Sequence, residues 1–299
     1  MSCRPDVLPP APLDIVVVSQ LGGRALARTL RALAAIDAPC VVVGAGADSP
    51  PDGPRPRDTR FVPADVSVPL KRAIGLAAMS GRWVALIEDT CEPGPGWHRA
   101  FEQIERDGAV DAAGGPVTIA SHLPPRCMAL ACMEYAAHAP RPDAGRADGA
   151  VPVAAIAGLN LLYRRSSIPP FDASSGLIES ELNAIISRRG GRLVRHPQLK
   201  VTYCEADHAA ATVASRFDHG RIYGGGLREC TAGMRRGLAL LKCLALPPVL
   251  YMRAARAIPP GCRSPWRTRA WIVALALGWS AGEFAGLAAG RGTSLARWS

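Results

Sequence analysis

Over the first two hundred residues, apolar runs of strand length alternate with amphipathic stretches of helix length, a pattern that a chain satisfies by building a sheet covered by helices. Leu13 to Ser19 (LDIVVVS) reads as the first strand, followed through Gly22-Gly23 by a helix over Arg24 to Ala35. Cys40 to Ala45 reads as a second strand. A Pro/Asp/Arg-rich loop then leads to a short strand at Phe61, a helix over Leu70 to Met79, and a strand over Trp83 to Glu88. Val110 to Ile119 reads as a strand pair or a strand with a glycine kink, Cys127 to His138 as a helix, and Ile178 to Arg189 as an amphipathic helix ahead of strands at Leu193 and Val201. The expected fold class is therefore α/β.

Charge divides the chain. Of its 299 residues, the first 215 hold 22 basic and 22 acidic side chains, whereas Arg216 to Arg269 holds 11 basic residues against Asp218 and Glu229. A basic segment of this kind suits a polyanion or a membrane flank. It lacks interleaved aromatics and any nucleic-acid-binding pattern, and it alternates with apolar runs, so the expectation is a membrane surface and no nucleic acid.

Leu238 to Met252 is apolar but carries Lys242 and Pro247-Pro248, which predicts an interfacial or re-entrant helix. Ala270 to Gly290 is long enough to span, with Glu283 as its sole charge. Gly278, Gly282, Gly286 and Gly290 form a stripe suited to close helix packing. Glu283 needs a partner, for which Arg267 or Arg269 is available, or else the helix lies in the surface; a buried helix of a soluble domain satisfies the same pattern. The organisation expected is a tail over 1–12, an α/β domain over 13–215 and a basic, membrane-associated helical region over 216–299.

Nine cysteines without a Cys-x-x-Cys pair argue against a disulfide framework and a structural zinc site. The N-terminus has no apolar signal-peptide core, so the first domain is expected in the cytoplasm, at the inner face of the membrane.

The acidic pair Glu88-Asp89 ends a strand, and ligands of open α/β sheets sit at the carboxyl ends of strands. Strand, acidic pair, Pro/Gly turn and tryptophan-led helix (VALIEDTCEPGPGW, Val84 to Trp97) resemble the segment with which family-2 glycosyltransferases of the GT-A type hold a divalent cation. DAAGGPVTIAS (Asp111 to Ser121) resembles that family's next strand. GLNLLYRRSSI (Gly158 to Ile168) resembles its Gly-x-Asn acceptor-side strand, and IESELNAIISRRGGRLVRHP (Ile178 to Pro197) the helix that opens with its catalytic acid. GWSAGEFAG (Gly278 to Gly286) is similar to the C-terminal segment of a non-processive subgroup. The resemblance covers roughly Leu13 to Tyr203.

The resemblance implies a GT-A, Rossmann-like mixed sheet and inverting transfer of one sugar from a nucleotide donor to a lipid-linked or polysaccharide acceptor. It implies Glu179 as the base, Asp89 as the ligand of Mg²⁺ or Mn²⁺ and, with Glu88, as part of the donor site, and Gly158 and Asn160 on the acceptor side. The family's nucleotide-recognising aspartate directly after the second strand is lacking in VVVGAGADS, with Asp48 available to stand in, and Lys71, Arg72, His219 and Arg221 are the cations available to a diphosphate. Thr90 replaces the second aspartate of the DxD motif, Ile178 replaces an acidic neighbour of the base, and the Gln-x-x-Arg-Trp signature of processive synthases is absent. Two rivals stand beside this reading: a dinucleotide-dependent oxidoreductase built on Gly44 and Gly46, which lacks a third glycine, and a degenerate scaffold that binds a sugar nucleotide or a synthase partner without turnover.

Overall fold

A computed structural model describes residues 12–140, 149–205 and 212–297. The expected N-terminal tail and the polar loop between Pro140 and Gly149 fall, but for their edges, outside those residues.

The chain forms a mixed sheet flanked by helices, with two apolar helices at its C-terminal end. Strands β1 (Leu13–Ser19), β2 (Cys40–Gly44), β3 (Arg60–Val62) and β4 (Trp83–Glu88) are parallel neighbours in the order β3-β2-β1-β4. β9 (Asn160–Arg164) runs antiparallel between β4 and β6 (Ala112–Gly114), and β10 (Leu193–Arg195) and β8 (Val151–Pro152) complete eight strands. Every residue of β1, β2 and β4 is buried. This explains why those strands read as unbroken apolar runs rather than alternating ones: both faces of a parallel sheet are covered.

Alternate residues of each strand serve opposite faces. Ile15, Val17 and Ile87 join a core with Leu26 and Leu30 of helix α1 (Gly23–Leu33), Trp97 and Phe101 of α3 (Trp97–Asp107) and the Cys127 to Met133 stretch of α4 (Pro125–Tyr135). Val16, Val18 and Leu86 pack instead with Val68 and Leu76 of α2 (Val68–Ala77) and Leu182 and Ile186 of α5 (Glu179–Arg188). Cys127 and Cys132 are buried, as a reading of them as core residues requires.

The Val110 to Ile119 segment resolves into two strands of different sheets, because β7 (Val117–Ile119) pairs with β11 (Val201–Tyr203) in a small sheet whose other edge is β5 (Cys91–Pro93). A Cβ on Gly115 would stand 1.8 Å from the Leu199 carbonyl oxygen, so only glycine lets the chain cross between the sheets there.

The C-terminal region is three helices, α6 (Val213–Cys230), α7 (Gly233–Arg256) and α8 (Pro265–Ala289). α7 is longer than the prolines suggest, since it continues through Pro247 and Pro248. It is held from outside, by Cys243, Leu250 and Ala254 buried against α4 and α8, which offsets the backbone N–H groups that proline removes. By length and composition alone, α7 and α8 are each long and apolar enough to cross a membrane.

The glycine stripe of α8 has its partner within this chain. A Cβ on Gly282 would meet the Phe217 carbonyl oxygen at 2.0 Å and one on Gly286 the Arg221 carbonyl oxygen at 2.2 Å; from the other side, Gly220 and Gly224 meet the backbone of Trp279 and Glu283. α6 and α8 thus touch backbone to backbone along several turns. Glu283 accepts a hydrogen bond from Trp279 Nε1 at 2.9 Å rather than pairing with Arg267 or Arg269.

Candidate active site

The strand order places a crevice at the acidic pair. From β1 the chain moves outward to β2 and β3, then returns to β4 on the opposite side of β1, so the connections diverge at the carboxyl ends of β1 and β4. Such a divergence leaves an open cleft in an α/β sheet. Ser19 and Gln20 lie on its β1 side, and Glu88, Asp89 and Thr90 on its β4 side.

Asp89 does not face that cleft. It is fully buried, and its carboxylate accepts hydrogen bonds from Ser19 Oγ at 2.7 Å and from the backbone N–H groups of Gln20 at 2.9 Å, Leu21 at 3.0 Å and Gly22 at 2.9 Å. Burial raises its proton affinity, and the four donors lower it. A carboxylate has about four lone-pair sites, and here three donors converge on Oδ2 and one on Oδ1. Asp89 as it stands fastens the loop from β1 to α1, and its burial sets it apart from the cation-ligand and donor-binding roles expected of it.

Glu88 is the member of the pair that reaches the cleft, and it does so as part of a buried ion triad. Arg72, on α2, donates from one Nη to Glu88 Oε1 at 2.8 Å and from the other to Glu179 Oε2; a longer contact of 3.3 Å runs to the Gly158 carbonyl oxygen. Burial works against the guanidinium charge, but the fields of Glu179 and Glu88 outweigh it and hold its proton more firmly than usual. Burial likewise raises the Glu88 carboxyl above the ordinary range against the pull of Arg72, and the nearby charges of Glu134 and Glu179 push it further. Glu88 Oε2 receives Gln20 Nε2 at 3.1 Å and Thr90 Oγ1 at 3.4 Å, so Thr90, standing where a second aspartate was expected, braces Glu88.

The three carboxylates differ in access. The side chain of Glu179 is 20% exposed and that of Glu88 10%, whereas Asp89 is closed off. Glu179 is the first residue of α5, where the unpaired N–H groups of the helix start favour a negative charge. A Cβ on Gly158 would sit 2.9 Å from Glu179 Oε1, so the glycine leaves the space into which that carboxylate turns.

A second layer of charge comes from elements that the sequence pattern does not connect to the site. Arg216 of α6, almost wholly buried, pairs with Glu134 of α4 at 2.7 Å, meets His219 Nδ1, and lies 5.9 Å from the Trp279 ring centre. Glu134 and Arg216 were missed because one is an acid in an otherwise apolar helix and the other opens a basic run; the single acid in that apolar helix was the available signal. The proton affinity of His219 is depressed well below the usual imidazole value by burial, then by the charges of Arg216 and Arg72.

That depression gives a pH prediction. A group with a lowered folded pKa stabilises the fold above its ordinary pKa and ceases to as pH falls. Denaturation curves between about pH 7 and about pH 5 should show the native protein losing stability, relative to His219→Gln, by up to roughly 1.4 kcal/mol per pH unit. Parallel curves for the two proteins would contradict this.

The remaining candidates fall elsewhere. Asn160 is buried, its amide donating to Leu199 O at 2.6 Å and its oxygen accepting from Trp97 Nε1 at 3.0 Å, so it anchors α3 instead of facing an acceptor. Arg221 donates to the Gly290 carbonyl oxygen at 3.1 Å and braces the end of α8 rather than reaching for a diphosphate. Lys71 bonds to Ser19 O at 3.1 Å beneath the cleft. Asp48 is exposed in the loop after β2, on the same edge of the sheet.

Among the described residues no group of three or more Cys, His, Asp and Glu side chains gathers as for a protein-held metal. Arg72 holds Glu88 Oε1 and Glu179 Oε2, which leaves Glu88 Oε2, bonded to the neutral donors Gln20 and Thr90, and Glu179 Oε1 as the cleft's carboxylate oxygens off the guanidinium. The donor set fits a cation that arrives with phosphates, since Mg²⁺ is commonly held by one or two carboxylates and takes its other ligands from phosphate and water.

No family model matches the chain, and no curated protein matches it. Among solved structures it is similar to a crystal structure of GalNAc-T7 with UDP, GalNAc and Mn²⁺, at 12% identity and a TM-score of 0.46, over 67% of this chain and 44% of that one. The chain thus spans less than half of that protein, and a likeness at this level assigns neither residue roles nor activity.

Proposed function

We propose that the chain is a glycosyltransferase of the GT-A type that moves one sugar, with inversion, from a nucleotide-sugar donor to a lipid-linked or glycan acceptor at the cytoplasmic face of a membrane. The observation that carries the reading is the triad: Arg72 holds Glu88 and Glu179 side by side, next to Gly158, in the cleft where β1 and β4 diverge. Residues 13–215 supply the sheet and triad, and residues 216–299 add Arg216 and His219 besides the apolar helices.

In this reading Glu88 receives a divalent cation carried by the donor's diphosphate, Mg²⁺ or Mn²⁺, which when bound neutralises charge on the departing diphosphate. Glu179, the most open of the three carboxylates, takes the proton of the acceptor hydroxyl as that oxygen attacks the anomeric carbon and the nucleoside diphosphate leaves from the opposite face. Arg72 holds Glu179 aimed into the cleft. The second reading, a scaffold that binds the donor without turnover, is favoured by the engagement of both carboxylates with one guanidinium and by Ile178 beside the base.

The test is release of nucleoside diphosphate when the detergent-solubilised chain meets a panel of UDP- and GDP-sugars with and without a total lipid extract. Release that depends on the extract is expected. Donor binding with no release under any pairing would move the scaffold reading ahead.

A further inference from the structure

We infer that α7 and α8 seat the protein on an anionic bilayer by lying in its surface, with neither helix crossing it. The inference rests on the proposal that the chain works at a membrane and decides how it does so. On α8 the outward positions Trp266, Ala270, Val273, Leu277, Ala281, Phe284 and Ala288 recur at spacings of three and four, every one exposed and none polar. A solvated helix carries its charges on that face. α7 packs on α8 and exposes Met234, Leu238, Leu241, Leu244 and Met252, with Leu244 74% exposed. Exposed Arg235, Lys242, Arg253 and Arg256 interleave with these residues, and Arg263, Arg267 and Arg269 border the turn and the start of α8, with no exposed acid among them. An apolar stripe set among cations matches acyl chains below a layer of anionic headgroups.

The other sides of α8 exclude a span. Ile272, Leu275 and Ala276 belong to the same core as the sheet and α4. α6 lies against α8 backbone to backbone and carries Arg216, Arg221 and Asp218, the last bonded to Arg297 and Ser294. A spanning α8 would carry those charges into hydrocarbon along with it, where each is strongly disfavoured. One stripe of α8 is free for lipid, and the others belong to the folded body.

Two measurements decide this, and neither reads turnover, so their failure is separable from failure of the transferase proposal. In flotation with vesicles of phosphatidylcholine and phosphatidylglycerol in equal parts, the full chain should float. The triple variant Leu241→Glu, Leu277→Glu, Phe284→Glu, whose positions are exposed and leave the core intact, should float at least about tenfold less while keeping the native thermal transition. Absence of flotation by the native chain, with the triple variant changing oligomeric mass instead, would assign the face to a second copy and overturn the inference. For topology, Ser264→Cys and Thr293→Cys flank α8 and are introduced separately in a chain whose Cys3, Cys230 and Cys262 are Ser. Both should react with an impermeant maleimide added outside intact vesicles that carry the protein on their outer surface; reaction of one only after lysis would show a span and overturn it.

Discussion

Glu179→Gln is expected to lower kcat for sugar transfer by about 10³, within the range by which a positioned base accelerates proton transfer, while the Kd for donor changes little. The expectation follows from the geometry of the triad. Glutamine has the shape of glutamate and still offers an oxygen to Arg72, so α5 and the cleft stay in place. What disappears is the ability to take a proton from the acceptor hydroxyl. Glu88 remains paired to Arg72 at 2.8 Å and holds the guanidinium in register. Steady-state release of nucleoside diphosphate, paired with calorimetry of donor binding, separates the two effects. A kcat within a few-fold of native would remove Glu179 from the chemistry; a lost donor affinity with kcat unchanged would make it a binding residue.

The second large effect is on the fold. Asp89→Asn should destabilise the protein by about 3 kcal/mol or more, because hydrogen bonds to a buried charge are among the stronger ones and an amide can replace only part of them. Three backbone N–H groups converge on the carboxylate, and the asparagine NH₂ would point a donor at one of those donors. For a chain of this size the loss corresponds to roughly 5 °C in Tm. Metal-free thermal denaturation checks it. A residue whose work was to bind a cation would leave the metal-free protein unchanged, so an unaltered Tm together with lost Mn²⁺ binding would restore the role first expected of Asp89.

Asp89 also marks the limit of what the sequence discloses. The buried strands were legible because parallel strands covered on both faces need continuous apolar runs, and β1 and β4 appear at the residues where LDIVVVS and WVALIE stand. That an acidic pair closes β4 was legible too. Which acid faces the cleft was not, because alternation along a strand puts Glu88 and Asp89 on opposite sides without saying which side is the cleft. The answer depends on the β1 to α1 loop, seventy residues away, whose N–H groups need an acceptor.

The same distance hides Asn160, whose partners Trp97 and Leu199 come from two other parts of the chain. It also hides Arg216, whose place in a basic run concealed its burial against Glu134 and His219. The glycines of α8 signalled a close backbone approach, as a stripe of missing side chains must. The identity of the partner, α6, was settled only by the fold. Proline was given too much weight in α7, where packing overrides propensity.

Calorimetric titration of UDP and GDP into the full-length, detergent-solubilised chain, with and without Mn²⁺, for the native protein and Glu88→Gln, tests the central claim most directly. The account predicts that one nucleotide binds in the presence of Mn²⁺ and that Glu88→Gln weakens it at least about tenfold, since a neutral amide replaces the charge that would attract the cation. Equal binding by both proteins regardless of Mn²⁺, or none by the native protein, would contradict the assignment of the β1–β4 cleft as a donor site.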